Sequence, residues 1–298
     1  MSRQTALNRE EYLFSGHNAC PGCGAAVTVR HLAKILGRNT VFVITASCFS
    51  VIAGPLPLRS FALNVFHCPF ASAAAVGSGL RRGLKSLGRE DLTVAVLAGD
   101  GGTFDIGLQG MSAAAERNED ILFVCYDNEA YMNTGMQRSS ATPYGSITGT
   151  TPAPATKTGP KKDIMKILAA HRIPYAATAT IAFPEDFQAK VEKAKCTSGF
   201  RFLHLLAPCP PGWGMESSMT VTCARRAVEA GIFPLYEMEY GRVGSITYKP
   251  EKLLPVGEYL ALQNRFSALT AGQEEYIQKT VNDNWRALLA EEAKAGRS

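Results

Sequence analysis

Short apolar runs alternate with longer amphipathic runs along most of this sequence. The apolar runs are rich in Val, Ile, Leu and Phe with little polar alternation, as expected of strands buried on both faces. They predict strands at 41–46, 92–98, 121–127, 175–179 and 202–206. The runs between them predict helices at 25–36, 71–87, 106–117, 164–171 and 184–194. This alternation favours an α/β fold whose parallel sheet is covered by helices on both faces.

Two stretches depart from the alternation. Residues 149–162 are rich in Thr, Pro, Gly and Lys, which predicts a long irregular loop of the kind that often forms lids or contacts. From residue 241 onward the chain passes two prolines and then shows helical patterns near 258–266 and 273–294. We therefore predict a main domain at 1–240 and a C-terminal helical extension at 241–298 that contacts this domain or partner subunits.

Composition narrows the class of protein. Hydrophobic residues make up 46% and charged residues 19%, which is globular and excludes a largely disordered chain. The net charge of +5 is scattered, so no nucleic-acid surface is indicated. There is no apolar signal-peptide core, and no apolar run approaches the ~20 residues of a membrane helix. We expect a cytoplasmic protein without membrane insertion, in which eight cysteines indicate metal or redox chemistry more than disulfides.

A glycine-rich motif follows the predicted strand at 92–98. The motif consists of Gly99, Asp100, Gly101 and Gly102, and a helical pattern begins shortly after it. Glycines allow close approach of the backbone to a ligand, and a helix N-terminus favours phosphate. Asp100 could bind a hard cation that bridges to such a phosphate. A lone Gly-Asp-Gly is usually only a turn, so this interpretation depends on a second motif.

That second motif is the end of the next predicted strand. Asn128 lies 28 residues after Asp100, a separation that fits one helix plus one strand. Both side chains are therefore expected at the same edge of the sheet, where open α/β folds bind ligands. A carboxylate, an amide oxygen and a backbone carbonyl are suitable magnesium ligands, with diphosphate oxygens completing the shell.

Four cysteines occupy predicted strand or helix ends. Cys20 and Cys23 form a Cys-x-x-Cys turn before a helix, Cys48 follows the first strand, and Cys209 follows the last. Thiolates at such positions can hold a four-iron four-sulfur cluster. Zinc, or no metal at all, remains an alternative, because Cys-x-x-Cys alone is a weak signal. Cys223 is the alternative fourth ligand.

Taken together, these motifs resemble the β subunit of 2-oxoacid:ferredoxin oxidoreductases, the pyruvate synthase family. The resemblance covers nearly the whole chain. The matching segments are CPGCG at 20–24, GDG at 99–101, YDNEAYMNTG at 126–135, QRSSATP at 137–143, APCP at 207–210, PLYE at 234–237 and PVGEYL at 255–260. The segment at 126–143 is the most specific. The resemblance implies a three-layer thiamine diphosphate-binding fold with a mostly parallel central sheet.

The resemblance also assigns roles to residues. Asp100, Asn128 and the carbonyl of Ala130 would bind Mg²⁺ on the diphosphate of thiamine diphosphate, beside the glycine motif at 99–102. Asn133 would point toward the thiazolium and the substrate, and is the predicted catalytic residue. Cys20, Cys23, Cys48 and Cys209 would ligate one 4Fe–4S cluster.

The implied reaction is the oxidative decarboxylation of a 2-oxoacid to an acyl-CoA and carbon dioxide. Thiamine diphosphate would attack the 2-oxo carbon, and the cluster would pass electrons on to ferredoxin or a similar acceptor. In this family the glutamate that activates the thiamine lies on the α subunit, so this chain alone should be inactive. The implied partners are α, γ and ferredoxin-like δ subunits, as separate or fused chains.

Substrate choice within the family stays open. Pyruvate is the default expectation, and 2-oxoisovalerate, phenylglyoxylate and oxalate are alternatives. The small residues Ala71 and Ser72 after Phe70 suggest a roomier pocket, which would suit a larger acid such as phenylglyoxylate. Two other classes of function also compete: a non-redox thiamine decarboxylase module with structural cysteines, and a zinc-stabilised interaction module without chemistry.

Overall fold

One eight-stranded sheet forms the centre of the protein. The computed structural model describes residues 9–295, so the outer ends of both predicted segments lie outside the described residues. The strands are β1 (Thr40–Thr45), β2 (Asn64–Cys68), β3 (Thr93–Gly99), β4 (Leu122–Asp127), β5 (Tyr175–Thr180), β6 (Arg201–Leu206), β7 (Tyr236–Glu239) and β8 (Arg242–Ile246). Their order is β2-β1-β3-β4-β6-β5-β7-β8. The strands β1 to β6 pair in parallel, and β7 and β8 add an antiparallel edge.

Helices cover both faces of this sheet. They are α1 (Gly24–Leu36), α2 (Cys48–Ala53), α3 (Ala73–Ser86), α4 (Leu108–Glu116), α5 (Ile164–Ala170), α6 (Pro184–Cys196), α7 (Pro210–Trp213), α8 (Thr220–Glu229), α9 (Gly257–Leu260) and α10 (Ala271–Ala295). Helices α1, α2 and α6 pack on one face, and α3, α4 and α5 on the other. Within β1, Phe42 and Ile44 enter the first core and Val43 enters the second. The predicted three-layer α/β fold is confirmed.

The sheet contains a reversal of strand order between β1 and β3. From β1 the chain moves outward to β2 and then returns to β3 on the other side of β1. In open parallel sheets, ligands bind at the carboxyl ends of the strands beside such a reversal. Here those ends lead into Cys48 after β1 and Asp100 after β3, with Asn128 after the adjacent β4.

The C-terminal segment is attached to the sheet through its own strand and helix. The antiparallel hairpin β7–β8 spans the predicted boundary between residues 240 and 241. On α10, Glu292 accepts a hydrogen bond from the Ile246 N–H at 2.8 Å and pairs with Lys249 at 2.6 Å. A third apolar cluster joins α10 to helices α7, α8 and α9. The division of the chain at residue 240 stays a prediction.

Five strands and five helices lie close to where the apolar pattern predicts them. The strands β1, β3, β4, β5 and β6 differ from the prediction by at most one residue at either end. The pattern misses α2, α7, α8, β2, β7 and β8. All of these except α8 are short, and the residues of the three strands are partly exposed or charged. Residues 149–162 form the predicted irregular loop. Among the described residues, no helix combines the length and apolarity that a bilayer crossing requires.

Candidate active site

A cavity of about 220 Å³ opens at the carboxyl edge of the sheet, beside the reversal of strand order. Its lining includes Cys48, Asp100, Asn128, Ala130 and Asn133. Gly99 and Gly101 also line it. Residues from three separate strand ends therefore meet at one site, as the spacing of the motifs predicts.

The glycine motif has a different conformation from the predicted tight turn. After β3 ends at Gly99, the chain enters a π-helical turn over Gly101–Asp105 at once. Asp100 already has right-handed helical dihedrals, with φ −58° and ψ −44°. Gly99, Gly101 and Gly102 are absent from the positions with positive φ. The prediction of a turn at 99–102 is wrong, because the backbone there is helical and needs no left-handed residue.

Close packing explains the glycine at position 101 instead. A Cβ on Gly101 would lie 2.1 Å from Cε1 of the Tyr131 ring and 3.1 Å from Cζ of Phe70. The Tyr131 hydroxyl donates to Asp105 Oδ2 at 2.8 Å, which fixes the ring in this position. Any side chain at 101 would displace the ring and with it the chain that leads to Asn133.

Three oxygens of the motifs converge in the cavity; we call Asp100, Asn128 and Ala130 the oxygen cluster. The amide oxygen of Asn128 lies 3.0 Å from Asp100 Oδ1 and 3.0 Å from the Ala130 carbonyl oxygen. With the amide rotated by half a turn, its NH₂ group would donate to both atoms. A carboxylate, an amide oxygen and a backbone carbonyl that lie this close together are the types of ligand that suit a hard cation. These residues therefore fit a Mg²⁺ ion.

The environment of Asp100 is consistent with a cation at this position. The side chain is buried, and the Ser139 hydroxyl donates to its Oδ2. Burial and the nearby Asp127 carboxylate raise the pKa of Asp100 well above its usual value. A bound divalent ion would oppose both effects and favour the ionised carboxylate.

The predicted catalytic residue Asn133 lies on an exposed loop closed by a bridge between Tyr131 and Gln137. Its backbone N–H donates to the sulfur of Cys48. The loop that follows the oxygen cluster therefore contacts Cys48, one of the four predicted iron–sulfur ligands. No described residue of this chain covers Asn133 from outside, so its side chain is open to solvent or to a partner.

The four predicted cysteine ligands, which we call the thiol cluster, also approach one another. Cys23 is the N-cap of α1, Cys48 is the first residue of α2, and Cys209 is the N-cap of α7. The charges of Cys20, Cys23 and Cys48 each influence the pKa of Cys209. Cys223 does not belong to this group, because the charges that act on its pKa come from Arg265 and Glu129.

Glycine packing brings the Cys-x-x-Cys turn against the segment that carries Cys209. The Gly24 N–H donates to the Pro208 carbonyl at 3.0 Å, and a Cβ on Gly24 would lie 2.5 Å from the same oxygen. Gly22 has a φ of +68°, in the left-handed region that glycine adopts without strain. The sequence CPGCG therefore fits this contact because both glycines are sterically required.

Cys23, Cys48 and Cys209 are half-buried, whereas Cys20 is exposed. Burial raises the pKa of Cys48 to about 11 and that of Cys209 to about 12. The N–H groups of Ala25 and Ala26 donate to Cys23, and the N–H of Gly212 donates to Cys209, which opposes this effect. Sulfurs that are buried and hydrogen-bonded by the backbone resemble ligands of an iron–sulfur cluster, whose potential such bonds tune.

Zinc is the alternative metal for these four cysteines. Zinc needs four ligands at about 2.0–2.3 Å from one centre. Within residues 9–295, no three His, Cys, Asp or Glu side chains are close enough to share one ion. In a 4Fe–4S cluster each cysteine binds a different iron, so the sulfurs stay farther apart.

Charged side chains that the motifs do not reveal lie behind the oxygen cluster. We call Asp127, Glu129, Lys161, His204 and Arg265 the ion network. Lys161 Nζ lies 2.6 Å from Asp127 Oδ2 and 2.7 Å from Glu129 Oε1. Arg265 pairs with the other oxygen of Glu129 at 2.6 Å, and His204 Nε2 lies 2.7 Å from Asp127 Oδ2. The carboxylates on both sides of Asn128 are thus neutralised by distant segments.

The sequence points to some residues of the ion network and not to others. Asp127 and Glu129 flank Asn128 in the most specific segment of the chain. Lys161 belongs to the irregular loop at 149–162, whose predicted role as a contact segment fits its position here. Arg265 comes from the C-terminal extension, and no local pattern distinguishes it from other arginines.

Trp213 connects the two clusters. It is buried in the third apolar cluster, against which Cys209 packs. Its indole Nε1–H donates to the Asn128 carbonyl at 2.8 Å, and the Arg265 guanidinium lies 3.8 Å from the centre of its ring.

A larger cavity lies elsewhere. It has a volume of about 710 Å³ and lies between α5, α10 and the β7–β8 hairpin. It contains none of the predicted ligands, although Lys161 and His204 of the ion network reach its wall. We assign the chemistry to the smaller cavity, because that is where the oxygen cluster and Cys48 meet.

Comparison with known families agrees with this assignment. The family model described as thiamine pyrophosphate enzyme, C-terminal TPP binding domain, matches residues 45–205. The matched region contains Cys48, the oxygen cluster and Asn133. Together with the fold, the match defines a thiamine diphosphate-binding domain.

Individual relatives narrow the family. The chain is 50% identical over 279 residues to pyruvate synthase subunit PorB from Methanothermobacter thermautotrophicus, covering 93% of this chain and 96% of that protein. It is 45% identical over 297 residues to ketoisovalerate oxidoreductase subunit VorB from Pyrococcus abyssi, covering 97% and 96%. The chain belongs to this family, the PorB and VorB subunits of 2-oxoacid:ferredoxin oxidoreductases. Both names denote subunits, so further chains complete the enzyme.

A solved structure shares the fold. The 2-oxoglutarate:ferredoxin oxidoreductase from Magnetococcus marinus aligns with a TM-score of 0.59 at 22% identity, covering 70% of this chain and 69% of that chain. This likeness concerns the fold alone.

Proposed function

We propose that this chain is the β subunit that holds thiamine diphosphate, Mg²⁺ and one 4Fe–4S cluster in a 2-oxoacid:ferredoxin oxidoreductase. The complex would oxidatively decarboxylate a 2-oxoacid to an acyl-CoA and carbon dioxide and pass the electrons to ferredoxin. The observation that supports this most is geometric: Cys48 and Asn133 line the same cavity as the oxygen cluster.

Each group of residues would have its own role in the reaction. Bound thiamine diphosphate supplies the nucleophile for the 2-oxo carbon, and the iron–sulfur cluster supplies a one-electron acceptor. Asp100, Asn128 and the Ala130 carbonyl would hold the magnesium and thereby orient the diphosphate. Asn133, exposed at the cavity mouth, would orient the reacting end of the substrate. Cys20, Cys23, Cys48 and Cys209 would bind the cluster, with backbone N–H groups stabilising their thiolates.

The remaining parts of the catalytic centre would come from partner chains. In the family to which this sequence belongs, the glutamate that activates the thiamine is on the α subunit, and γ and ferredoxin-like δ subunits complete the complex. The cavity of this chain is small, at about 220 Å³, and open. Both properties agree with a site completed by a second chain.

For the substrate we propose pyruvate, with 2-oxoisovalerate, phenylglyoxylate and oxalate as alternatives. Phe70 lines the cavity and contacts the Tyr131 ring, with 6.0 Å between ring centres. The small Ala71 and Ser72 follow it but do not line this cavity, so the roomier pocket stays a prediction from the sequence. A substrate panel on the purified complex, with and without coenzyme A, decides between these acids.

The cluster assignment is tested by iron analysis. The chain is produced anaerobically with its partner subunits, and about four irons per β subunit are expected from its own cluster. Cys20→Ala and Cys209→Ala should each lose this iron and the reduction of an artificial electron acceptor. Cys196→Ala, which removes an exposed thiol outside the thiol cluster, is the matched control, and Cys223→Ala tests the alternative ligand.

Two results would contradict the proposal. An active complex whose β subunit is free of iron would favour a non-redox thiamine decarboxylase, for which Cys20→Ala leaves carbon dioxide release intact. Stoichiometric zinc, together with function that survives Asp100→Ala, would favour an interaction module.

A further inference from the structure

Arg265 joins the C-terminal extension to the chain between two predicted magnesium ligands. It lies in a 3₁₀ turn (Asn264–Phe266) and is 5% exposed. Its Nη2 lies 2.6 Å from Glu129 Oε2. Glu129 separates Asn128 from Ala130, so this pair acts directly on the segment that forms most of the oxygen cluster.

The guanidinium of Arg265 is fixed on several sides. Its Nε donates to Gln263 Oε1 at 2.8 Å, and Nη2 also donates to the Tyr259 hydroxyl at 3.1 Å. Its plane packs on Trp213, with 3.8 Å between Cζ and the ring centre. A planar group with several donors suits this position, and a lysine ammonium does not reproduce it.

Through these contacts Arg265 reaches both ends of Asn128. On one side it pairs with the side chain of Glu129. On the other it packs on Trp213, whose indole N–H donates to the Asn128 carbonyl at 2.8 Å. The backbone around Asn128 is thereby held from two directions by one side chain of the extension.

Glu129 needs such support because its backbone is unusual. Its φ is +66°, a left-handed conformation that is uncommon for a residue other than glycine. Its N–H donates to Asp127 Oδ1 at 2.9 Å, and its carbonyl accepts from the Thr142 hydroxyl at 2.7 Å. This turn directs the Asn128 amide and the Ala130 carbonyl toward each other.

We propose that Arg265 is a positioning residue for the oxygen cluster and that the C-terminal extension is therefore a part of the cofactor site. This inference rests on the proposed function. Arg265 acts through Glu129 and Trp213, and does not itself bind magnesium or diphosphate. Without it, the Asn128–Ala130 segment should sample arrangements in which the three oxygens no longer converge.

The test measures cofactor binding by the complete complex with its partner subunits. After removal of bound cofactor, thiamine diphosphate is titrated calorimetrically at fixed Mg²⁺, and Mg²⁺ is then titrated at saturating thiamine diphosphate. Arg265→Met should weaken both by about 10- to 100-fold, as loss of a partner behind a metal ligand does. Arg265→Lys should rescue little of this.

A thermodynamic cycle separates positioning from general stability. Glu129→Gln should weaken binding by a similar factor, and the double variant Glu129→Gln/Arg265→Met should bind no more weakly than the weaker single variant. Val281→Ala loosens the packing of α10 without touching Glu129, and Arg286→Met removes an exposed arginine of the same helix. Both controls should bind the cofactor as the wild type does, even if Val281→Ala lowers the melting temperature.

Several outcomes would overturn the inference. One is wild-type affinity in an assembled Arg265→Met complex, and another is an equal loss of affinity in Val281→Ala. If Arg265→Met does not assemble, Glu129→Gln decides, and unchanged affinity in that variant overturns the proposal. A wild-type complex that binds no thiamine diphosphate at all would instead contradict the proposed function.

Discussion

The oxygen cluster and the thiol cluster meet at one cavity, which Cys48 lines, but different forces hold them. Behind the oxygen cluster is the ion network, whose Lys161 and Arg265 come from the loop and the C-terminal extension. Behind the thiol cluster are backbone hydrogen bonds and the close contact of Gly24 with Pro208. The first centre therefore depends on distant parts of the chain and on buried charge, and the second depends on local backbone geometry.

This difference predicts that the two centres respond differently to substitution. Loss of one charge from the ion network leaves another buried charge without a partner, which is costly. Loss of backbone fit around the thiol cluster costs only what local strain and packing require. Four experiments test this difference, and they are given in order of decreasing effect.

The largest effect on stability is expected at Lys161, which contacts two buried carboxylates. Lys161→Met leaves Asp127 and Glu129 with too little positive charge, and should lower the free energy of unfolding by about 3–5 kcal/mol. Urea denaturation followed by circular dichroism measures the change. Lys166→Met, at an exposed lysine paired with Asp163 at 3.4 Å, is the control and should change it by less than about 1 kcal/mol. Equal changes in the free energy of unfolding in both variants would mean that burial of the ion network does not stabilise the fold.

The largest effect on cofactor binding is expected at Asp100. Asp100→Asn removes the only charged ligand of the oxygen cluster but keeps its size, and should weaken Mg²⁺-dependent binding of thiamine diphosphate by more than about 100-fold. Because Asp100 is a buried acid near Asp127, the same change should not destabilise the protein without cofactor. Asp283→Asn, at an exposed carboxylate of α10, is the control. A destabilised Asp100→Asn protein with unchanged cofactor affinity would contradict the role of Asp100 as a magnesium ligand.

A smaller effect is expected from the packing of the thiol cluster. Gly24→Ala would bring a Cβ to 2.5 Å from the Pro208 carbonyl oxygen, so the backbone must shift at a cost of about 1–3 kcal/mol. The shift should also lower the iron content, because it separates the Cys-x-x-Cys turn from Cys209. Gly83→Ala in α3 meets nothing within 4 Å and should stabilise the protein by about 0.4–1 kcal/mol. Normal iron content in Gly24→Ala would show that the contact does not position the thiols.

The smallest effect is expected at Glu11, an exposed residue that pairs with Arg30 and Lys34 on the helix that begins after Cys23. Hydrogen bonds from Arg30 and Lys34 lower the pKa of Glu11 to about 2. A depressed carboxyl pKa stabilises the folded state above the ordinary pKa of about 4.3 and loses this effect as pH falls toward the folded value. Glu11→Gln should therefore cost no more than about 1 kcal/mol at pH 7.

The pH and salt dependence of that variant provides the check. The difference in unfolding free energy between Glu11→Gln and the wild type should shrink between pH 5 and pH 2, and should also shrink at high salt. A difference that grows on acidification would mean that the pair does not hold the carboxylate ionised in the folded state.

Local pattern accounts for much of the fold and for the ligands proposed here. The strands β1, β3 and β4 are continuous apolar runs, so burial on both faces identifies them without tertiary information. The apolar pattern does not predict β7 and β8, because both short strands contain charged residues. Their place in the sheet comes from pairing with β5 and from the cover that α10 provides.

For the glycine motif at 99–102, the sequence predicts the position correctly and the backbone conformation wrongly. Its position after β3 follows from the sequence, because a strand end and a helix start flank it. The need for glycine at position 101 comes from the Tyr131 ring that approaches it, and this ring comes from a segment 30 residues farther along the chain. Such a contact exists only after the strands have paired.

Local sequence is enough to place a carboxylate, an amide and four thiols at strand or helix ends, at spacings set by helix and strand lengths. Folding is needed to bring Lys161 and Arg265 to the carboxylates on either side of Asn128 and to place Cys209, rather than Cys223, with the other thiols. The two kinds of information differ in range along the chain. Apolar periodicity reflects the burial of neighbouring residues, whereas a buried charge is stabilised by any opposite charge that folding brings within a few ångströms, however far away it lies in the chain.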